Sequence, residues 1–184
     1  IFTTDSGAKI GVVGLETPET ATKANPDKIQ GVTFLGGQDM FDCAQAQVDA
    51  LKAEGCSYII CVGHLGIDAS SAGNTSIDLL ENVTGIDVFL DGHSHEQYER
   101  TLPNREGRDV VLAQTGTGLT AIGQVILDPV TGAIQGELVA GYAGRDPKME
   151  EEIAAVQAQY EEQLSQVVGS TDVALVTTDP ATGE

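Results

Sequence analysis

The sequence predicts an α/β fold, and its pattern of apolar residues supports this class. Two short apolar segments, 57–62 and 86–90, have the length and composition of buried strands. A helical pattern of apolar residues precedes each of them, so that helix and strand alternate along the chain. Because the two apolar segments are continuous rather than alternating, they indicate a sheet that is covered on both faces.

The first predicted elements are a β segment at 9–15 and a helix that contains residues 41–51. A turn signal at Asp5-Ser6-Gly7-Ala8 precedes the β segment. In the helix, apolar residues recur at spacings of three and four, and Gly55 is expected to end it. The apolar positions of this helix are Phe41, Ala44, Val48 and Leu51.

A second helix and three further β segments are predicted in the middle of the chain. The apolar positions of this helix are Ile77, Leu80 and Val83, and Gly85 stops it. The β segments span 110–114, 121–127 and 134–139. The turn residues between the last two predict a hairpin.

The last predicted helix begins at Asp146, which can serve as its N-cap, with Pro147 at the first helical position. Gly169 is expected to end it, and a new β segment follows at 173–176. Because it lies between a completed β region and this new segment, we interpret it as an interdomain helix. A terminal helix that packs on the sheet is the alternative.

Composition excludes several classes of partner. The formal net charge of −19 repels nucleic acid and anionic lipid, so neither is expected to bind non-specifically. It also repels phosphate esters, unless a local cation reverses the field. No apolar run approaches the roughly 20 residues that a membrane-spanning helix needs. Of the three cysteines, Cys61 is expected to be a small buried hydrophobic residue.

The three histidines of the chain are the candidate metal ligands. His64 follows one apolar strand, and His93 and His95 follow the next, where open α/β sheets place ligand sites. Imidazole is a common ligand of zinc, manganese and iron. In an extended chain, the His-x-His spacing would direct both rings to one side. We therefore predict that His64, His93 and His95 bind metal.

Two histidine motifs resemble those of the calcineurin-like metallophosphoesterases. Gly92-His93-Ser94-His95 is similar to the Gly-His-[Ser/Thr]-His motif, and Gly63-His64-Leu65-Gly66 is similar to the metal-histidine motif that precedes it. The segment from Lys9 to Pro18 resembles a strand of the 5'-nucleotidase branch. That branch also includes 2',3'-cyclic phosphodiesterases and UDP-sugar hydrolases.

The resemblance implies half of a four-layer α/β/β/α sandwich, plus an interdomain helix. Residues 1–145 would be the C-terminal part of the catalytic domain, 146–168 a linker helix, and 169–184 the start of a nucleotide-binding domain. The family's other metal ligands and its catalytic histidine lie in its first half, so no catalytic residue is assigned here. The missing N-terminal half and C-terminal domain are expected partners, and half a sandwich would expose an apolar sheet face.

The implied reaction is hydrolysis of a nucleotide or another phosphate ester by hydroxide held between two divalent metal ions. By position, His64 and His93 would bind one ion and His95 the other. The ions could be zinc, manganese, iron or cobalt. The chain alone is expected to be inactive or nearly so. The family is usually exported, which predicts a periplasmic, cell-surface or extracellular location.

Two other functions are compatible with the same residues. The three histidines could form a mononuclear zinc hydrolase site with one open coordination position. Alternatively, the chain could be a non-catalytic module in which the histidines only buffer metal or are structural.

Overall fold

The computed structural model describes residues 1–173, and its main feature is a six-stranded mixed sheet. The strands are β1 (Phe2–Thr3), β2 (Lys9–Glu16), β3 (Tyr58–His64), β4 (Val88–Leu90), β5 (Gln97–Pro103) and β6 (Asp109–Thr115). Their spatial order is β1-β2-β3-β4-β6-β5. The central strands β2, β3, β4 and β6 are parallel, whereas the outer strands β1 and β5 are antiparallel to their neighbours. The predicted α/β class is therefore confirmed.

Helices cover one face of this sheet. They are α2 (Gly37–Ala53) and α3 (Ser76–Asn82), whereas the short α1 (Thr20–Lys23) buries no residue. The core lies between the sheet and the apolar sides of α2 and α3, where Phe41, Val48 and Leu80 are buried as their spacing predicts. Gly55 follows α2 with a φ of 85°, so the predicted helix end is confirmed.

The other face of the sheet is covered only in part. A hairpin of β7 (Ala121–Leu127) and β8 (Ile134–Ala140) packs near β5 and β6, and it confirms the predicted hairpin. On this face Val12, Val62 and Leu90 remain 40%, 49% and 37% exposed, although Val62 and Leu90 border a cavity that hairpin residues also line. The expectation of full cover on both faces was therefore wrong for the described chain, because a two-stranded hairpin is too narrow to shield the whole sheet.

Strand β5 was not predicted from the sequence. Its buried residue is Tyr98, and Leu102 is partly buried, whereas the rest of the strand is polar or charged. It pairs with β6 at the edge of the sheet, and within residues 1–173 its other side has no strand partner. A polar edge strand lacks the continuous apolar run that marks the central strands.

The chain divides into two compact units, residues 1–142 and 143–184. The described part of the second unit contains α4 (Pro147–Leu164). The carboxylate of Asp146 accepts hydrogen bonds from the backbone N–H groups of Lys148 and Met149, which confirms the predicted N-cap. The helix ends at Leu164, before the predicted end near Gly169, and most of the β segment predicted at 173–176 lies outside the described residues. Within residues 1–173, no helix is long and apolar enough to cross a membrane.

Candidate metal centre

The parallel strands bring four loops to one edge of the sheet. The carboxyl ends of β2, β3, β4 and β6 all lie at this edge. β2 leads to Glu19, β3 ends at His64, and β4 leads to the segment 91–96, which we call the histidine loop. Open α/β sheets place their ligand sites at such an edge, so the fold puts the predicted histidines where a site is expected.

His64 and His93 form a close pair of rings. Their ring centroids are 5.0 Å apart, and the planes are inclined by 63°. The side chain of His64 lies against the backbone of Gly92, so that a Cβ atom at this position would lie 2.9 Å from His64 Nδ1. Gly92 is therefore the residue that allows His64 to lie beside the histidine loop.

The histidine loop has an unusual backbone. His93 has a φ of 80° and His95 a φ of 56°, both in the left-handed region that non-glycine residues rarely adopt. The loop is therefore not the extended chain in which the His-x-His spacing would direct both rings to one side. Such a conformation persists only where surrounding contacts enforce it, and it is common at functional sites.

Asp91 joins the histidine loop to the segment that follows β3. Its Oδ1 accepts hydrogen bonds from the backbone N–H groups of Leu65, Gly66 and Gly92, at 3.0, 3.2 and 2.8 Å. Its Oδ2 accepts a hydrogen bond of 3.1 Å from the hydroxyl of Tyr98. The carboxylate thus fixes the loops of His64 and His93 relative to each other.

Glu19 adds a carboxylate to the histidine pair. Its Oε2 lies 3.3 Å from Nε2 of His93, and its Oε1 accepts a hydrogen bond from the hydroxyl of Ser71. Hydrogen bonds from Lys23 and then Ser71 lower the pKa of Glu19 to about 2, so this carboxylate is ionised at neutral pH. A carboxylate beside an imidazole can fix the ring's orientation and tautomer, as partners of metal-bound histidines do.

His95 is exposed on the same loop, but it does not complete a cluster with the other two histidines. Among residues 1–173, no group of three or more histidine, cysteine, aspartate or glutamate side chains is arranged to hold a metal ion. The imidazole nitrogens of His64 and His93 suit a divalent transition metal, and their close approach fits two ligands of one ion. A mononuclear site needs three converging donors, and the described geometry does not supply them.

Sequence reasoning missed several residues that shape this site. Glu19 reaches His93 from the segment after β2 and accepts a hydrogen bond from Ser71, whereas Tyr98 and Gln114 support the histidine loop from β5 and β6. None of the four belongs to a recognisable motif. Gln114 and Tyr98 stand out as a buried amide and a buried hydroxyl at strand ends, but their burial is visible only in the fold.

Cys61 and Asp68 have ordinary structural roles. Cys61 is fully buried with a free thiol whose pKa is raised by burial, as a small core residue should be. Asp68 caps a short 3-10 helix by accepting a hydrogen bond from the backbone N–H of Ser70. That hydrogen bond lowers the pKa of Asp68.

Solved structures with a similar fold are phosphoesterases. The 5'-nucleotidase precursor from Thermus thermophilus matches with a TM-score of 0.71 and 26% identity, over 92% of this chain and 36% of that chain. The calcineurin-like phosphoesterase YfkN from Bacillus subtilis matches with a TM-score of 0.64 and 19% identity, over 90% and 57%. These neighbours define the class of the fold.

Sequence relatives agree with the structural neighbours. The trifunctional nucleotide phosphoesterase protein YfkN of Bacillus subtilis is 27% identical over 178 residues, which are 92% of this chain and 11% of that protein. The NAD 5'-nucleotidase of Haemophilus influenzae is 35% identical over 99 residues, or 53% of this chain and 14% of that protein. No family model matches the chain.

The homologues and structural neighbours of this chain are thus 5'-nucleotidases and calcineurin-like phosphoesterases, which confirms the resemblance found in the histidine motifs. The chain spans well under two thirds of the length of each of these proteins, and 11% and 14% of the two sequence relatives.

Proposed function

We propose that this chain forms part of a metal-dependent phosphoric monoester hydrolase that acts on nucleotides. The observation that carries the proposal is the pair of His64 and His93 rings at adjacent strand ends, 5.0 Å apart. The names of the relatives support the substrate class, since each denotes a nucleotidase or a nucleotide phosphoesterase.

In this proposal His64 and His93 bind one divalent ion, and His95 binds a second. Two such ions, when bound, would activate the attacking water and neutralise charge on the phosphate oxygens. Local positive charge is needed because the chain carries a net charge of −19, which repels a phosphate ester. Asp91 keeps the histidine loop and the segment after β3 together, and Glu19 orients the His93 ring through Nε2.

The 184-residue chain alone is proposed to have little or no activity. Two neighbouring imidazoles, with a third exposed on the same loop, hold a metal ion weakly without carboxylates that converge on the same point. The remaining ligands and the residues that recognise the nucleotide would come from sequence that corresponds to the unmatched parts of the relatives. Export from the cytoplasm is a further part of the proposal, and the precursor named in Thermus thermophilus is consistent with it.

Phosphate release from AMP in the presence of Mn²⁺ or Zn²⁺ tests this function. The assay should compare the 184-residue chain with the longest chain that its gene encodes, each with and without His93→Ala. A surface variant, Gln47→Ala, serves as the matched control because this residue is exposed on α2. We expect metal-dependent turnover in the longer chain, its loss in His93→Ala, and little turnover in the 184-residue chain. Turnover that survives both His93→Ala and a chelator would refute the proposal.

A further inference from the structure

Gln114 is a buried polar residue that the proposed reaction does not use directly. It lies near the end of β6, its residue is 2% exposed, and its side chain reaches the histidine loop. Its Nε2 donates hydrogen bonds to the carbonyl oxygen of Gly92 at 2.9 Å and to the hydroxyl of Ser94 at 3.1 Å. Its Oε1 accepts a hydrogen bond of 3.0 Å from the backbone N–H of Glu96. One amide therefore joins both ends of the loop.

The backbone partners determine which way the amide is oriented. The N–H of Glu96 can only donate, and the carbonyl of Gly92 can only accept. Rotation of the amide by 180° would place two donors together at Glu96 and two acceptors together at Gly92. A carboxylate or an apolar side chain at position 114 could not satisfy both partners.

The residues between these two attachment points include both unusual histidines. His93 and His95 have φ values of 80° and 56°, conformations that are unfavourable for non-glycine residues. The loop would relax toward ordinary backbone angles if nothing held its ends. The two bonds from Gln114 to the Gly92 and Glu96 backbones fix the ends, and the bond to Ser94 fixes the residue between the histidines.

Gln114 also connects to the clamp formed by Asp91. Its Nε2 lies 3.2 Å from the hydroxyl oxygen of Tyr98, and this hydroxyl in turn donates to Asp91. Burial, and then the neighbouring Asp91 carboxylate, raise the pKa of Tyr98, so the hydroxyl keeps its proton and remains a donor. The amide of Gln114, the phenol of Tyr98 and the carboxylate of Asp91 thus form one continuous network that contacts the histidine loop and the segment after β3.

We propose that Gln114 is a positioning residue that holds the histidine loop in the conformation that presents His93 and His95. The consequence for metal affinity rests on the proposed function, whereas the effect on the loop does not. The competing view is that Gln114 is a buried polar residue that contributes only to general stability.

Two substitutions at this position separate the two views. Gln114→Met keeps the volume but removes all the hydrogen bonds, and Gln114→Asn keeps the amide but is one methylene too short to reach both Gly92 and Glu96. The Asn variant carries the test if the Met variant does not fold. The matched control is Asn104→Leu, since Asn104 is also a buried amide that ties a turn, by accepting from the backbone N–H groups of Glu106 and Arg108. That turn joins β5 and β6 at the opposite end of the sheet.

The first readout is hydrogen exchange of the Glu96 amide in the metal-free 184-residue chain. In both Gln114 variants we expect exchange about tenfold faster than in the wild type, because the amide loses a hydrogen bond of ordinary strength. Asn104→Leu should accelerate exchange at Glu106 and Arg108 without this effect at Glu96. Unchanged exchange at Glu96 in the Gln114 variants, or an equal increase in the control, would overturn the proposal.

The second readout is the affinity for Zn²⁺ measured by calorimetry on the same samples. We expect it to fall by roughly 10- to 100-fold in the Gln114 variants, as for other residues that support metal ligands, and to stay unchanged in Asn104→Leu. Equal affinities in the Gln114 variants and the wild type would overturn the positioning role. If the wild type binds no Zn²⁺ while Glu96 exchange responds as expected, the positioning of the loop stands and the metal-dependent function fails.

Discussion

Replacement of Asp91 should destabilise the first unit more than most single substitutions. The carboxylate accepts hydrogen bonds from three backbone N–H groups, at Leu65, Gly66 and Gly92, and one from the Tyr98 hydroxyl. In Asp91→Ala these four donors lose their acceptor. At about 1 kcal/mol for each donor, the free energy of unfolding should fall by about 3–4 kcal/mol, with water at the partly exposed loop replacing some of the lost bonds.

The isosteric variant Asp91→Asn should lose less stability than Asp91→Ala. Its amide oxygen can still accept from the backbone N–H groups, but the bonds lose the strength that the negative charge gives them. Its Nδ2 would face the Tyr98 hydroxyl, which would be left without the acceptor that Asp91 Oδ2 provides for its proton. We expect a loss of about 1–2 kcal/mol.

Urea unfolding followed by circular dichroism measures both variants, since the chain has no tryptophan for fluorescence. In a thermal scan, the Asp91→Ala variant should melt roughly 10 °C below the wild type for a unit of this size. A free energy of unfolding for Asp91→Ala within about 1 kcal/mol of the wild type, or an Asp91→Asn variant less stable than Asp91→Ala, would contradict this role of the carboxylate.

Three further substitutions test other parts of the structure. In Gly92→Ala the new Cβ would lie 2.9 Å from His64 Nδ1, so calorimetry should show weaker Zn²⁺ binding. Unchanged affinity would contradict the close contact between His64 and Gly92. Lys23→Ala should raise the pKa of Glu19 from about 2 toward 4.5 in a carboxyl NMR titration, and no change would show that the ion pair is absent in solution. Replacement of the fully buried Phe89 by alanine should lower the free energy of unfolding, measured in urea, by about 3–5 kcal/mol. A loss below about 1 kcal/mol would place Phe89 outside the core.

The lowered pKa of Glu19 also gives a direction for pH dependence. Because the carboxylate is more acidic in the folded chain than in the unfolded chain, its contribution to stability is present above the ordinary value of 4.5. That contribution should decline as the pH falls toward about 2. Lys23→Ala, which removes the first cause of the shift, should weaken this dependence.

The central part of the fold could be predicted because buried parallel strands carry a continuous apolar pattern. The residues of β3 and β4 show it, and the helix before β3 shows apolar residues at spacings of three and four. β5 could not be predicted in the same way, since it is a polar edge strand in which Tyr98 alone is buried. The exposed stripe of Val12, Val62 and Leu90 was expected only through the resemblance, because an apolar strand residue looks the same in sequence whether covered or not.

The candidate site was predicted less completely than the fold. His64 and His93 could be found because histidine is rare in this chain and because both residues follow apolar strands. The left-handed backbone of His93 and His95 could not be predicted, because nothing in the residue types indicates it. Glu19 and Gln114 approach the histidine loop from distant parts of the sequence, so their contacts depend on the packing of the loops.

In the sequence, an aspartate directly after an apolar strand, such as Asp91, is compatible with either a partner of a histidine or a turn residue. In the structure its contacts are with three backbone N–H groups and a tyrosine hydroxyl, which is the turn role extended across two loops. An aspartate at a strand end accepts backbone hydrogen bonds within its own loop as a rule. The contact with the neighbouring loop arises because β3 and β4 are adjacent in the sheet.

Anomalous diffraction from crystals soaked in Zn²⁺ or Mn²⁺ tests the central claim most directly, since it locates the ion without reliance on activity. We expect an anomalous peak about 2.0–2.2 Å from one nitrogen of His64 and one of His93, and no such peak in crystals of His93→Ala. A metal peak elsewhere on the chain, or none near these two rings at saturating metal, would contradict the assignment of the histidine pair as a metal site.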